Sequence, residues 1–274
     1  MNKGASKIFP RLILLLTISV YSFHLKANTP ELSSYLPCDD VSTKKVLAHD
    51  DFTHGLKQWI VEQQDPNGKV TAKKGVLDVQ QPAGATLWFR KKLTGDYVIE
   101  FTATPIPLRD EKGGERISDL NMFWNANDPR TESRNPTELA LDGALTSYNP
   151  LHLYYVGFGA NYNTTTRLRR YDGGAQRSQI TGYTTPESAT SDDRAGGMTE
   201  YTRLNANEPV RVRVVSRKPN AQHPENLWWY ANDKLLFSFA DPKPYLEGWF
   251  GFRTTFSHFQ IRNFKVYSCR SKTN

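Results

Sequence analysis

Leu227–Phe239 reads LWWYANDKLLFSF. Two aromatic and aliphatic runs flank Ala231-Asn232-Asp233, and Asn and Asp tolerate the left-handed backbone that a tight hairpin needs. The stretch therefore predicts two antiparallel strands, Asn226–Ala231 and Lys234–Phe239. Upstream, Val210, Val212 and Val214 alternate with Arg211 and Arg213, the period of a strand buried on one face. Downstream, GWFGFRTTFSHFQIRNFKVYSC (Gly248–Cys269) predicts strands at Gly248–Arg253 and Phe259–Tyr267. The same signals predict Gly75–Val79, Thr86–Leu93, Tyr97–Thr104, Leu120–Asn125, His152–Phe158, Thr165–Tyr171 and Val210–Val215. Short strands separated by Gly, Pro, Asn and Asp, with no helical period kept for three turns, predict an all-β sandwich or barrel.

The order of the last strands, with an Asn-Asp turn and then Gly-x-x-Gly-Phe, resembles the end of a concanavalin A-like jelly roll. That fold is a two-sheet antiparallel sandwich with one sheet bent into a groove. Two polar, Gly-rich segments do not read as strands: Arg109–Arg116 (RDEKGGER) and Gly173–Arg203. A loop of the second one's length is either functional or a mobile surface insertion.

The N-terminus has a different character. Lys3, Lys7 and Arg11 precede a nearly unbroken apolar run, Leu12–Phe23, and the polar Asn28-Thr29-Pro30 follows Ala27. This is the layout of a secretory signal, too short for a membrane span. The expected organisation is a signal peptide at 1–27 and a single β-sandwich domain at 28–274, secreted or periplasmic. The formal net charge of +7 falls to about +3 once Lys3, Lys7, Arg11 and Lys26 are removed. No lysine-rich arm for nucleic acid is present. Cys38 and Cys269, the two cysteines, sit near opposite ends of the expected domain, and in an exported chain they are expected to form a disulfide. No metal or cofactor motif is present, though Asp50-Asp51 could contribute to a structural calcium site.

VGFGANYNTTTRLRRYDGG (Val156–Gly174) concentrates glycines and arginines. Paired about Asn161, the strands on either side put Tyr154, Val156, Phe158, Thr164, Thr166 and Leu168 on an even face that is mostly core material. The odd face carries Tyr155, Gly157, Gly159, Thr165, Arg167, Arg169 and Tyr171. Glycine in a strand often marks a close approach. Arginine offers a planar fork for a carboxylate or sulfate, and tyrosine offers a ring and a hydroxyl. Two readings stand: a groove for an acidic sugar chain, or an ordinary solvated face with a bulge. Asp119 and Asn121 in SDLNMFWNANDPR, Asn161 and Asn163 in the connection, Arg253, and Trp88 in LWFRKK are further candidates to contact sugar; the alternative is a core role for Trp88 and, for Asp119 and Asn121, buried polar groups that satisfy loop backbone. His258, between Arg253 and Arg262, is a candidate for proton transfer or a structural histidine. G-x-S-x-G, P-loop, H-E-x-x-H and dinucleotide motifs are absent, as is the E-x-D-x-x-E of jelly-roll glucanases.

NPLHLYYVGFGANYNTTTRLRRYDGG, SDLNMFWNANDPR, GATLWFRKKL and YLEGWFGFRTTFSHFQIRNFKVY together resemble a secreted family catalogued as domain of unknown function 6250, across most of Asp50–Tyr267. The resemblance implies a concanavalin-like lectin/glucanase fold. It also implies a setting in bacteria that degrade plant or algal polysaccharides, including rhamnogalacturonan-type pectin. It carries over no catalytic residues. The expected ligand is an acidic polysaccharide or oligosaccharide. The expected activity is a polysaccharide lyase, with Tyr155 or His258 moving the proton and Arg167 or Arg169 neutralising the uronate. The alternatives are a non-catalytic carbohydrate-binding module or lectin, a glycoside hydrolase with Asp119 as one acid, and a structural envelope protein.

Overall fold

In the computed structural model the described residues are Met1, Cys38, 45–109, 113–221 and 223–269. The expected signal segment lies outside them apart from Met1. Among the described residues the strands are β1 (Val46–Asp50), β2 (Trp59–Gln63), β3 (Lys69–Lys73), β4 (Val76–Phe89), β5 (Tyr97–Ile106), β6 (Leu108–Arg109), β7 (Glu115–Arg116) and β8 (Leu120–Asn127). They continue with β9 (His152–Gly159), β10 (Thr165–Asp172), β11 (Arg177–Thr184), β12 (Gly196–Gly197), β13 (Val210–Ser216), β14 (Leu227–Ala231), β15 (Lys234–Phe239) and β16 (Trp249–Ser268).

One curled sheet folds over on itself, and its two halves share the long strands β4 and β16. The front half runs β12-β11-β10-β9-β8, then Trp249–Arg253 of β16, the second part of β4, and β2. The back half runs β3, the first part of β4, then His258–Ser268 of β16, β5, β13, β14 and β15, with β1 on the end of β16. Strands β4 and β16 pass between halves where their pairing slips, between Thr255 and Ser257. Phe256 takes a positive φ of 41° at that slip, within a bulge that re-aims the strand. Pro82 lies where β4 leaves β3 for β2, a point at which no ladder asks for its missing N–H.

The core lies between the halves. Leu87, Phe89, Phe101, Val156, Leu168, Val212, Val214, Trp229, Phe250, Phe252 and Phe264 are all buried there. Burying such a side chain contributes about 1.5–3 kcal/mol, and the rings also pack edge to face, Phe250 on Phe252 at 4.9 Å. The expected two-sheet jelly roll is what forms, and Cys38 and Cys269 are joined as a disulfide across a sequence separation of 231.

Local expectations were less accurate. Gly75–Val79 and Thr86–Leu93 belong to one strand, β4, and Gly248–Arg253 and Phe259–Tyr267 to another, β16, because slips at Pro82 and Phe256 look like turns in the sequence. The segment 173–203 is not loop throughout. Arg177–Thr184 (RSQITGYT) pairs with β10, and its half-buried polar residues carry no apolar alternation to reveal it. Glu115–Arg116 likewise pairs with Leu108–Arg109.

Candidate functional site

The odd residues of β9 and β10 face outward from the front half, as their parity requires. Gly157 pairs with Arg167, Tyr155 with Arg169 and Leu153 with Tyr171. The pairs are centred on Tyr162 rather than Asn161, a two-residue shift in register that leaves every side chain on its expected face. Together with Asp119 just before β8, Arg177 of β11 and residues of two loops they line an open pocket of about 210 Å³.

Tyr155 forms the floor. Its hydroxyl lies over Gly157, where an added Cβ would fall 2.8 Å from Oη. The room that the glycine creates is thus taken up by the Tyr155 phenol. Gly159 serves a different need: it holds a left-handed φ of 59°, and its Cβ would collide with Leu204 and Asn163. It begins the turn Ala160–Asn163, in which Asn161, Tyr162 and Asn163 also have positive φ. Burial pushes the Tyr155 hydroxyl well above the usual phenol range, Tyr171 and Asp119 push it further, and Arg253 and Arg169 only partly offset this. Burial also raises Tyr171. Both phenols are therefore neutral donors at ordinary pH.

The arginines divide into three roles. Arg169 lines the pocket and donates to the Arg177 carbonyl at 3.1 Å. Burial lowers its pKa, and no ion pair holds it among the described residues. Arg167 also lines the pocket, but its fork is filled: Nε and Nη2 donate to Asp193 at 2.8 and 2.6 Å, and Nη2 to the Ser188 carbonyl. Arg253 is buried beneath, donating to the Gly143 carbonyl at 2.5 Å. Arg177 completes the wall; nothing in the sequence singled it out, because its strand was unread.

Asp119 and Asn121 reach the same region on β8 and the turn before it. The Asp119 carboxylate accepts from Arg116 at 2.8 Å, from the Ser118 hydroxyl and from Asn121 at 3.2 Å. Among the described residues the Asn121 Oδ1 has no hydrogen-bond partner, and it is buried behind the pocket wall. Asn161 lines the pocket, whereas Asn163 is spent on Leu204, donating to its carbonyl and accepting from its N–H at 2.8 and 2.9 Å.

Trp88 and His258 do not join this group. Trp88 is fully buried, stacked on Phe123 at 5.6 Å, with Nε1 donating to Glu62 at 2.9 Å. It supports the site from below and offers no face to a sugar. His258 lies beyond the β16 slip on the outer side of the back half, hydrogen-bonded to Asp78 at 3.1 Å. Five residues of strand from Arg253 span about 16 Å. The Asp50 carboxylate accepts from the Phe52 N–H and Trp59 Nε1, and Asp51 from Thr53. Among the described residues no group of three or more His, Cys, Asp or Glu could hold a metal ion.

Glu62 is a second residue that sequence reasoning missed. It is buried and accepts three hydrogen bonds, from Trp88, the Tyr148 hydroxyl and the Leu141 N–H. Burial raises its pKa, against the pull of those donors. It pins the loop between β8 and β9 across the front half. Tyr148, Leu151, Phe123, Tyr155 and Tyr171 then form a second apolar cluster outside the main core.

The family described as domain of unknown function (DUF6250) matches residues 79–264. The chain belongs to that family. The DUF6250 match covers all the pocket residues but neither Glu62 nor the disulfide cysteines. Comparison with curated proteins gives no match. Among solved structures, a protein of unknown function with a galectin-like fold from Bacillus subtilis is similar at TM-score 0.59 and 16% identity, over 83% of this chain and 100% of that one. An endo-β-1,3-glucanase from Pyrococcus furiosus is similar at TM-score 0.51 and 10% identity, over 83% and 95%. The metal-free carbohydrate recognition domain of Emp46p gives TM-score 0.51 and 12% identity, over 81% and 98%. At these identities the likeness is one of fold.

Proposed function

We propose that the protein recognises an acidic carbohydrate through the carboxylate of a uronate-type unit. The observation that carries this reading is Arg169: a guanidinium in a pocket, without an ion pair among the described residues, between two neutral tyrosine hydroxyls. A carboxylate entering there gains a planar fork plus O–H donors, and sugar hydroxyls meet Asp119 and Asn161 on the pocket wall. Asp119, the carboxylate of the pocket, is neutralised by Arg116. Similarity of fold to a carbohydrate recognition domain and a glucanase agrees with a saccharide ligand. The Cys38–Cys269 disulfide agrees with a secreted or periplasmic setting.

Calorimetric titration with uronate oligosaccharides and their methyl esters tests the reading. Binding is expected for the free acids, to weaken with the esters and to be lost in Arg169→Ala. Equal affinity for acid and ester would contradict it.

A lyase is the second reading, favoured by one observation: phenol, carboxylate and guanidinium share the pocket. In elimination a base removes the proton beside the carboxylate, that electron pair forms the ring double bond, the glycosidic C–O bond breaks, and an acid protonates the leaving oxygen. The raised pKa of Tyr155 suits the acid better than the base, and with His258 on the other half the base would fall to Asp119. Ultraviolet absorbance of unsaturated uronate, present with the wild type and absent with Tyr155→Phe, distinguishes lyase from binder. Two-carboxylate hydrolysis has less support, since among the described residues Asp119 is the one acid lining the pocket.

A further inference from the structure

We propose that the pocket seats the end of an acidic chain, not a stretch within it; this rests on the binding reading above. An open trough on a curled sheet runs across the strands, so an internal segment needs an exit at both sides. Here both sides are shut by loops packed down to van der Waals contact.

Toward β4, the loop after β8 lies directly on the sheet. The Gly143 carbonyl accepts from Arg253 at 2.5 Å, and a Cβ on Gly84 would fall 2.4 Å from that same oxygen. A Cβ on Gly143 would fall 2.7 Å from Gln63 Cα. Two glycines thus press together two backbones with no gap for a sugar, and Leu145, just beyond, is a wall of the pocket. Glu62 holds the loop in place through Leu141 and Tyr148.

Toward β11, the segment after that strand folds back over Arg167. Asp193 accepts from Arg167, from Gln179 at 2.7 Å and from both the N–H and hydroxyl of Thr190 at 2.9 Å. It sits so close to Gly182 that a Cβ there would fall 2.6 Å from its Oδ1. The space between the two walls, about 210 Å³, is below the roughly 300 Å³ at which pockets for drug-sized ligands begin. It suits one unit, with the rest of the chain leaving through the mouth.

The test counts sites. Fragments of polygalacturonate and of alginate with defined lengths are titrated calorimetrically against the wild-type protein. The expected result is one protein per chain at every length, so that halving the mean length doubles the sites per gram. Sites per chain that rise with length would overturn end recognition while leaving the acidic-carbohydrate reading intact. No binding at any length would overturn both.

Discussion

Replacing Asp193 by Asn isolates the clamp that holds the β11 wall. Asp193 is fully buried at its side chain. Burial alone would raise its pKa, but the Arg167 fork and the Thr190 donors outweigh that and bring it from 3.8 to about 2. A carboxylate whose folded pKa is depressed stabilises the folded state above its unfolded pKa, and that stability is lost as pH falls through the folded value. At about 1.4 kcal/mol per unit, the depression is worth about 2 kcal/mol at neutral pH. For a domain of this size that is a fall in Tm of roughly 4–8 °C. Asn does not titrate, so the gap between wild type and Asp193→Asn should hold down to about pH 5 and narrow steadily below about 4. Thermal unfolding followed by circular dichroism from neutral pH to about 3 reads both quantities. Equal Tm values at neutral pH, or a gap that does not change with acid, would refute the assignment of the stability to this ion pair.

Gly157→Ala should push the Tyr155 ring aside; calorimetry should show lost uronate binding, and unfolding a loss of about 1–3 kcal/mol from overpacking. Glu62→Gln replaces an acceptor of three bonds by an amide whose NH2 must face either the Trp88 N–H or the Leu141 N–H. Thermal unfolding should show a cost of about 1–3 kcal/mol, and hydrogen exchange should rise first in residues 141–148. Cys269→Ser opens a long covalent loop and should lower stability by about 2–5 kcal/mol in denaturant titration.

The fold was legible because its signal is redundant. Val210, Val212 and Val214 alone give the period, and LWWYANDKLLFSF gives a hairpin that tertiary context did not override. Strand ends were less legible, since Pro82 and Phe256 mark a change of partner within a strand, and sequence cannot tell that from a turn. The pocket face was legible for the same reason as the fold: parity fixes which of Tyr155, Arg167, Arg169 and Tyr171 share a side, whatever the register by steps of two. What parity cannot give is who else arrives. Asp193 fills Arg167 from a distant loop, Glu62 holds another loop over Trp88, and the slip at Phe256 carries His258 to the other half. Each depends on long-range packing that leaves no local periodicity.

The most direct test of the central claim is a crystal structure with a bound uronate oligosaccharide. The account predicts its carboxylate on Arg169, a hydroxyl on Asn161 and the Tyr155 Oη within hydrogen-bond distance. A ligand lying instead in the lysine-lined groove of Lys69, Lys73 and Lys74 on the back half, with the Arg169 pocket empty, would contradict it.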